Sequence, residues 1–169
     1  MENANRICTE MLMQRGYDNK ILINDDTFKM KKNDQEEIIV FTDNQTKLNK
    51  GSVSKYMSIM KEHNITHSII IYSDTVTNMT SKSVEQSLEM KIELFSADEL
   101  QFNITKHRLQ PNKIRHLTSS ENSHFRKKYG TKLPIMKYSD PLRRFYDFSF
   151  GDIIEMTDNR DIVSYRIVK

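Results

Sequence analysis

The sequence predicts an α/β layer over residues 1–100, a short sheet covered by helices, followed by a small α+β module over residues 101–169. Two observations carry this. Three short apolar runs, at residues 38–41, 68–72 and 92–95, are separated by stretches with helical spacing, as in parallel strands joined by crossover helices. The charge also changes along the chain: 12 basic residues face 16 acidic ones up to residue 102, but 14 face 7 from residue 103 onward. The basic balance therefore belongs to the C-terminal part, where it suits contact with nucleic acid or with an acidic protein surface.

Taken in order, Ile7, Met11, Leu12 and Arg15 fall at helical spacing and stop at Gly16, a residue suited to a helix C-terminus. Asp25-Asp26-Thr27 reads as the cap of a short helix through Phe28 and Met30, with a polar loop over residues 31–35. The β-branched run at 38–41 reads as a buried strand. Ser52 or Ser54 then caps a helix that buries Val53, Tyr56, Met57, Ile59 and Met60, and a shorter helix at 81–88 leads to the run at 92–95. Beyond Asn103 the elements shorten. Ser119-Ser120-Glu121 opens a helix through Phe125 to Tyr129, stopped by Gly130. Asp140 caps another, with Pro141 in the first position, where its missing N–H costs little. Ile153-Ile154 and residues 162–168 form a terminal hairpin across a polar turn at 157–161.

Cys8 is the only cysteine, which excludes an intramolecular disulfide and a cysteine-based zinc site within one copy, and fits an intracellular setting. The chain opens without a signal-like pattern, and no apolar run approaches the roughly 20 residues that cross a bilayer, so a soluble protein without membrane contact is expected.

Enzyme chemistry finds one candidate. Asp74 at a strand end and Glu89-Met90-Lys91 entering the next strand have the residue types with which many nucleases hold a divalent metal beside a phosphate. In a chain with 29% charged residues, ordinary solvent-facing charges explain them better, and a small metal-dependent nuclease stands as the alternative reading. A DNA-binding module that uses only the basic tail is a third. His63 and His67 have the spacing of a helical metal pair, but Asn64-Ile65-Thr66 between them reads as a helix exit. There is no glycine-rich phosphate loop and no nucleophilic serine motif. No catalytic residue, metal or cofactor is expected.

An ordered series of short motifs carries more information. It runs Asn103-Ile104-Thr105 through His107 to Pro111, then Leu133-Pro134-Ile135, Asp140-Pro141, Arg144-Phe145-Tyr146, Gly151-Asp152-Ile153-Ile154 and Ser164-Tyr165-Arg166. Arg15-Gly16-Tyr17, Asn64-Ile65-Thr66 and Leu94-Phe95 precede it in the same order. Over about two thirds of its length the chain resembles the fifth-largest common subunit of eukaryotic-type DNA-directed RNA polymerases, whose C-terminal half is similar to a small subunit of the archaeal RNA polymerase. Departures are Met79-Thr80-Ser81-Lys82, where the family has a proline; Asp147, where a glycine is common; Ser149-Phe150, in place of a basic pair; and a trimmed terminal hairpin. A compact, divergent version suits a polymerase encoded by a large DNA virus.

The resemblance implies a noncatalytic subunit with a jaw domain at 1–100 and an assembly domain at 101–169. It implies docking on the largest subunit through His107, Pro111, Pro134, Asp140, Pro141, Arg144, Phe145, Tyr146, Gly151, Tyr165 and Arg166. His107 is expected in a strand, and Arg144 and Arg166 in an interface or in internal ion pairs. A loop with Thr77, Asn78, Thr80, Ser81 and Lys82 is expected beside downstream duplex DNA, which it touches without reading sequence. The partners are then the rest of the polymerase and DNA rather than a second copy of the chain. The location is the nucleus, or a viral replication site or virion for a virus-encoded chain.

Overall fold

The computed structural model describes residues 1–33, 36–130 and 132–169, and these form two compact units, Met1–Phe102 and Asn103–Lys169. Helix α1 (Glu2–Gln14) opens the first unit and buries Ala4, Ile7, Cys8, Met11 and Leu12. A mixed sheet follows, made of β1 (Asp18–Asn24), β2 (Thr27–Lys32), β3 (Glu36–Asp43), β5 (His67–Tyr72) and β7 (Lys91–Ser96), adjacent in that order. The β1–β2–β3 pairings are antiparallel, and β3, β5 and β7 are parallel. Helix α2 (Lys50–Glu62) makes the crossover between β3 and β5, and α3 (Asn78–Glu85) the one between β5 and β7. Ile39, Phe41 and Ile70 pack with Val53, Met60 and Val84 from these helices. Ile38, Val40, Ile69 and Ile71, also fully buried, alternate onto the opposite face. A two-strand parallel pair, β4 (Lys47–Leu48) with β6 (Thr75–Val76), lies at the C-terminal ends of β3 and β5.

The expected helix after Asp25 is a strand. Asp25 and Asp26 form the turn of the β1–β2 hairpin, in which the Asn24 side-chain oxygen accepts from the Asp26 amide at 3.0 Å. Asp and Asn are as well suited to such a turn as to a helix cap, and the buried Phe28 and Met30 flank the less buried Lys29 at strand period. Lys31 and Lys32 close β2 instead of opening a loop; Asp34 and Gln35 lie outside the described residues. Two further boundaries move. Asn49, rather than Ser52 or Ser54, caps α2 by accepting from the Ser52 amide, and α3 starts at Asn78, three residues before the expected position.

The second unit contains a 3₁₀ turn (Ile104–Lys106), β8 (Lys113–His116), α4 (Ser119–Tyr129), β9 (Ile135–Met136), α5 (Pro141–Tyr146), β10 (Ile153–Thr157) and β11 (Val163–Val168). The sheet order is β8-β10-β11-β9. The expected terminal hairpin pairs Ile153 with Ile167 through Thr157 with Val163, so Thr157, expected in the turn, closes β10 instead. Thr118, one residue ahead of the expected cap, forms a capping box with Glu121. Asp140 caps α5 through the Leu142 amide at 2.9 Å, with Pro141 in the first turn. Phe125 and Leu117 pack on Ile153, while Phe148, Met136, Met156 and Val168 cluster with Ile154.

Three of the motifs are one local device. At Gly16, Asn64 and Asp147 the backbone turns left-handed, with φ of 90°, 53° and 57°. In each case the next amide reaches back five residues: Tyr17 to Leu12, Ile65 to Met60 and Phe148 to Arg143. This is the Schellman stop, which satisfies helix-end carbonyls and favours glycine, with Asn and Asp next best. Asp147 therefore occupies a glycine-type position through its tolerance of that conformation.

Candidate functional site

The dispersed motifs of the C-terminal unit meet in space. Asn103 caps the 3₁₀ turn, its Oδ1 accepting from the Thr105 amide at 3.1 Å and from the Thr105 hydroxyl at 2.7 Å. Thr105 in turn hydrogen-bonds the Tyr146 side chain on α5, and burial pushes the Tyr146 phenol upward in pKa. Gly151, at φ +89°, donates its amide to the Val168 carbonyl at 3.0 Å and accepts from Arg126 Nη2 at 2.8 Å. Arg126 thus ties α4 to the start of β10, beyond the favourable charge it brings to a helix C-terminus. The Pro134 carbonyl accepts from the Ile167 amide at 2.9 Å. Residues far apart in the chain are here brought together in two sets of hydrogen bonds, one at Asn103, Thr105 and Tyr146 and one at Arg126, Gly151 and Val168.

Within this unit the surface residues separate from the supports. Pro134, Pro141 and Arg166 are exposed, whereas Phe145 is 4% exposed and meets Tyr146 edge-on at 5.3 Å, supporting the surface from beneath. Arg144 and Pro111 are partly exposed. His107 is not in a strand. It follows the 3₁₀ turn, exposed, with Nδ1 accepting from the Leu109 amide at 3.3 Å, because Asn103 diverts the backbone into a turn. Tyr165 donates to Glu155 Oε2 at 3.0 Å and stacks on Phe125, with ring centroids 4.6 Å apart. Arg115 bridges Glu155 and Glu121 on the same face. Arg143 lies 3.6 Å over the Tyr138 ring.

In the N-terminal unit the segment expected as a loop is the start of a helix. Thr77 caps α3, accepting from the Thr80 amide at 3.1 Å, and the buried Thr80 hydroxyl lies 2.7 Å from the Thr77 hydroxyl. The Ser81 amide donates to the Thr77 carbonyl at 3.0 Å, a bond that a proline at 81 could not make. Loss of the family proline is thus matched by a regular first turn. Exposed Asn78 and Lys82 remain on the surface, while Thr80 is spent internally.

The nuclease candidate does not assemble. Lys91 pairs with His67 at the N-terminal ends of parallel β5 and β7, whereas Asp74 follows Tyr72 at the opposite end. Six strand residues at about 3.3 Å each hold them roughly 20 Å apart, far beyond shared metal coordination. The histidine pair is also divided: His63 is the C-cap of α2, and His67 is in β5.

His67 belongs to a cluster that sequence reasoning missed. Its Nε2 lies 2.8 Å from Glu93 Oε1, and Arg15 binds both Glu93 oxygens at 2.8 and 2.9 Å. The Arg15 and Glu93 side chains are only 4% and 14% exposed. Burial alone would raise the Glu93 carboxyl; the His67 hydrogen bond and the Arg15 charge overrule it and lower it to about 2. Arg15-Gly16-Tyr17 was the available signal. Gly16 ends the helix, Arg15 turns in to Glu93, and the Tyr17 hydroxyl donates to Glu36 at 2.6 Å.

Comparison with known proteins agrees with the motif series. The family described as RNA polymerase Rpb5, C-terminal domain, matches residues 102–168. The chain is 32% identical to 454R of Invertebrate iridescent virus 6, whose name proposes a DNA-directed RNA polymerase subunit, over 97% of both chains. It is 33% identical to DNA-directed RNA polymerases I, II, and III subunit rpabc1 of Dictyostelium discoideum, over 75% of this chain and 68% of that one. Against DNA-directed RNA polymerases IV and V subunit 5B of Arabidopsis thaliana it is 31% identical over 65% of this chain and 53% of the relative. Matched through its C-terminal unit and aligned nearly end to end with the viral protein, the chain belongs to the Rpb5 family of RNA polymerase subunits.

Proposed function

We propose that this protein is a noncatalytic subunit of a multisubunit DNA-directed RNA polymerase, with nucleotide chemistry carried by other subunits. The C-terminal unit docks on the largest subunit, and the N-terminal unit acts as a jaw along downstream duplex DNA. The observation that carries this reading is that the hydrogen-bonded pairs Thr105–Tyr146 and Gly151–Val168, built from dispersed motifs, lie within the span matched by the family. The exposed cations of this unit, Arg166 among them, suit carboxylates on a partner. At the jaw, the exposed ammonium of Lys82 and the capped start of α3 suit phosphates, which position a duplex without reading its sequence. The protein then works where its polymerase transcribes, in the nucleus or at a viral replication site.

The test is purification of the tagged full chain from its natural setting. Stoichiometric recovery with two very large polymerase subunits is expected, and recovery without them overturns the assignment. Crosslinking from position 82 to DNA ahead of the active site checks the jaw; labelling confined to protein overturns that part.

A further inference from the structure

We propose that the outer edge of β11, at Val163 and Tyr165, accepts an extended acidic segment of the polymerase as an added strand; this deepens the assembly reading and rests on it. Backbone groups along a strand alternate between its two edges. The Val168 amide bonds Asp152 and the Ile162 carbonyl accepts from Asp158, so the even-numbered residues face β10. The Ile167 amide bonds Pro134, so Val163 and Tyr165 face the other way. On that side β9 pairs only with Ile167 and Val168.

The reason the ladder stops is chemical. Continued by one step in the 135-to-167 register, the donor to the Tyr165 carbonyl is the amide of residue 134. Residue 134 is proline and has none. Among the described residues, the outward amides and carbonyls of Val163 and Tyr165 have no backbone partner.

This edge is also held ready. The β10–β11 register runs from Ile153 to Thr157 without a bulge, and Tyr165 is fixed by Glu155 and Phe125. One edge strand of the other unit, β1, differs, while the opposite edge, β7, pairs with β5 in unbroken register. β1 carries two register shifts and a left-handed Asn19, features that twist an edge away from strand addition. A regular edge with fixed side chains is the one suited to pairing with an extended peptide. Exposed Arg166, and exposed Lys132 beside the Leu133 that packs on the same Leu117, Phe125 and Ile153 cluster as Tyr165, select a segment rich in carboxylates.

Hydrogen exchange tests this on the full chain, alone and within purified polymerase. The Val163 and Tyr165 amides are expected to exchange fast alone and at least about tenfold more slowly in the complex. Val163→Pro removes only an outward donor, a position where edge strands tolerate proline. In competition with the unaltered chain it should lower incorporation about tenfold, with Val163→Ala within about twofold and both unfolding midpoints near the original. Lys132→Glu with Arg166→Glu should lower incorporation about fivefold, less at high salt. Fast amides in a stoichiometric complex, or normal incorporation of Val163→Pro, overturns the strand addition and leaves the assembly reading standing. Absence of any complex with the unaltered chain overturns both.

Discussion

The two units each carry a three-residue network of arginine and carboxylate, with opposite consequences. Arg15 and Glu93 are enclosed between α1 and the sheet, with His67 completing the set. Arg115 lies on the open face of the C-terminal sheet, about half exposed, between Glu121 and Glu155. Contact distances are nearly the same, 2.8 Å in the first and 2.9 to 3.0 Å in the second. Solvent makes the difference: water and salt screen the exposed set, whereas removal of one buried partner leaves the other charge out of reach of bulk water.

The strongest way to break this contrast is Glu93→Ala, which takes from the buried Arg15 guanidinium the carboxylate that holds two of its nitrogens. A loss of about 3–5 kcal/mol is expected in urea unfolding of the full chain. Replacing both partners, Arg15→Met with Glu93→Leu, should recover most of that loss, because both charges then leave the interior together.

Acid titration sharpens the same point. The Glu93 carboxyl falls from an ordinary value near 4.5 to about 2 on folding, so the unfolded chain binds its proton more readily. Its contribution, on the order of 3 kcal/mol, is therefore complete above about pH 5 and lost as pH falls from about 4.5 towards 2. Urea midpoints between pH 6 and pH 2.5 should show this slope, and Glu93→Gln should flatten it.

A local feature of the second unit comes next. Asp140→Ala removes the acceptor for the Leu142 amide and should cost about 1 kcal/mol, read as a lower thermal midpoint. Arg115→Ala should have the smallest effect, a midpoint close to that of the unaltered protein at physiological salt. A large loss there would mean that the exposed network acts as a unit.

What the sequence revealed followed burial. Residues 38–41 and 68–72 lie largely buried on both faces, so their continuous apolar runs announced parallel strands, and the terminal hairpin announced itself by two apolar stretches flanking a polar turn. β1 was missed because every residue in it is exposed, Leu22 at 71%, and two bulges break its period. Helix starts lie one to five residues ahead of their expected positions wherever several Ser, Thr or Asn are close together, as at 49–54, 77–81 and 118–120, since each can cap. The site was legible as motifs but not as contacts. Nothing in the spacing of Arg15, His67 and Glu93 reveals that three elements bring them together.

Cys8, the single thiol, is wholly enclosed on the buried face of α1, and burial pushes its pKa up to about 12. In the folded protein almost no thiolate exists at neutral pH, and none is presented to solvent. A thiol reagent can therefore reach it only through molecules that have opened. With opening fast and reversible, the labelling rate reports how often α1 leaves the sheet, so the protein carries its own clock for that event. Since α1 ends in Arg15, the same clock should run faster once Glu93 no longer holds that arginine.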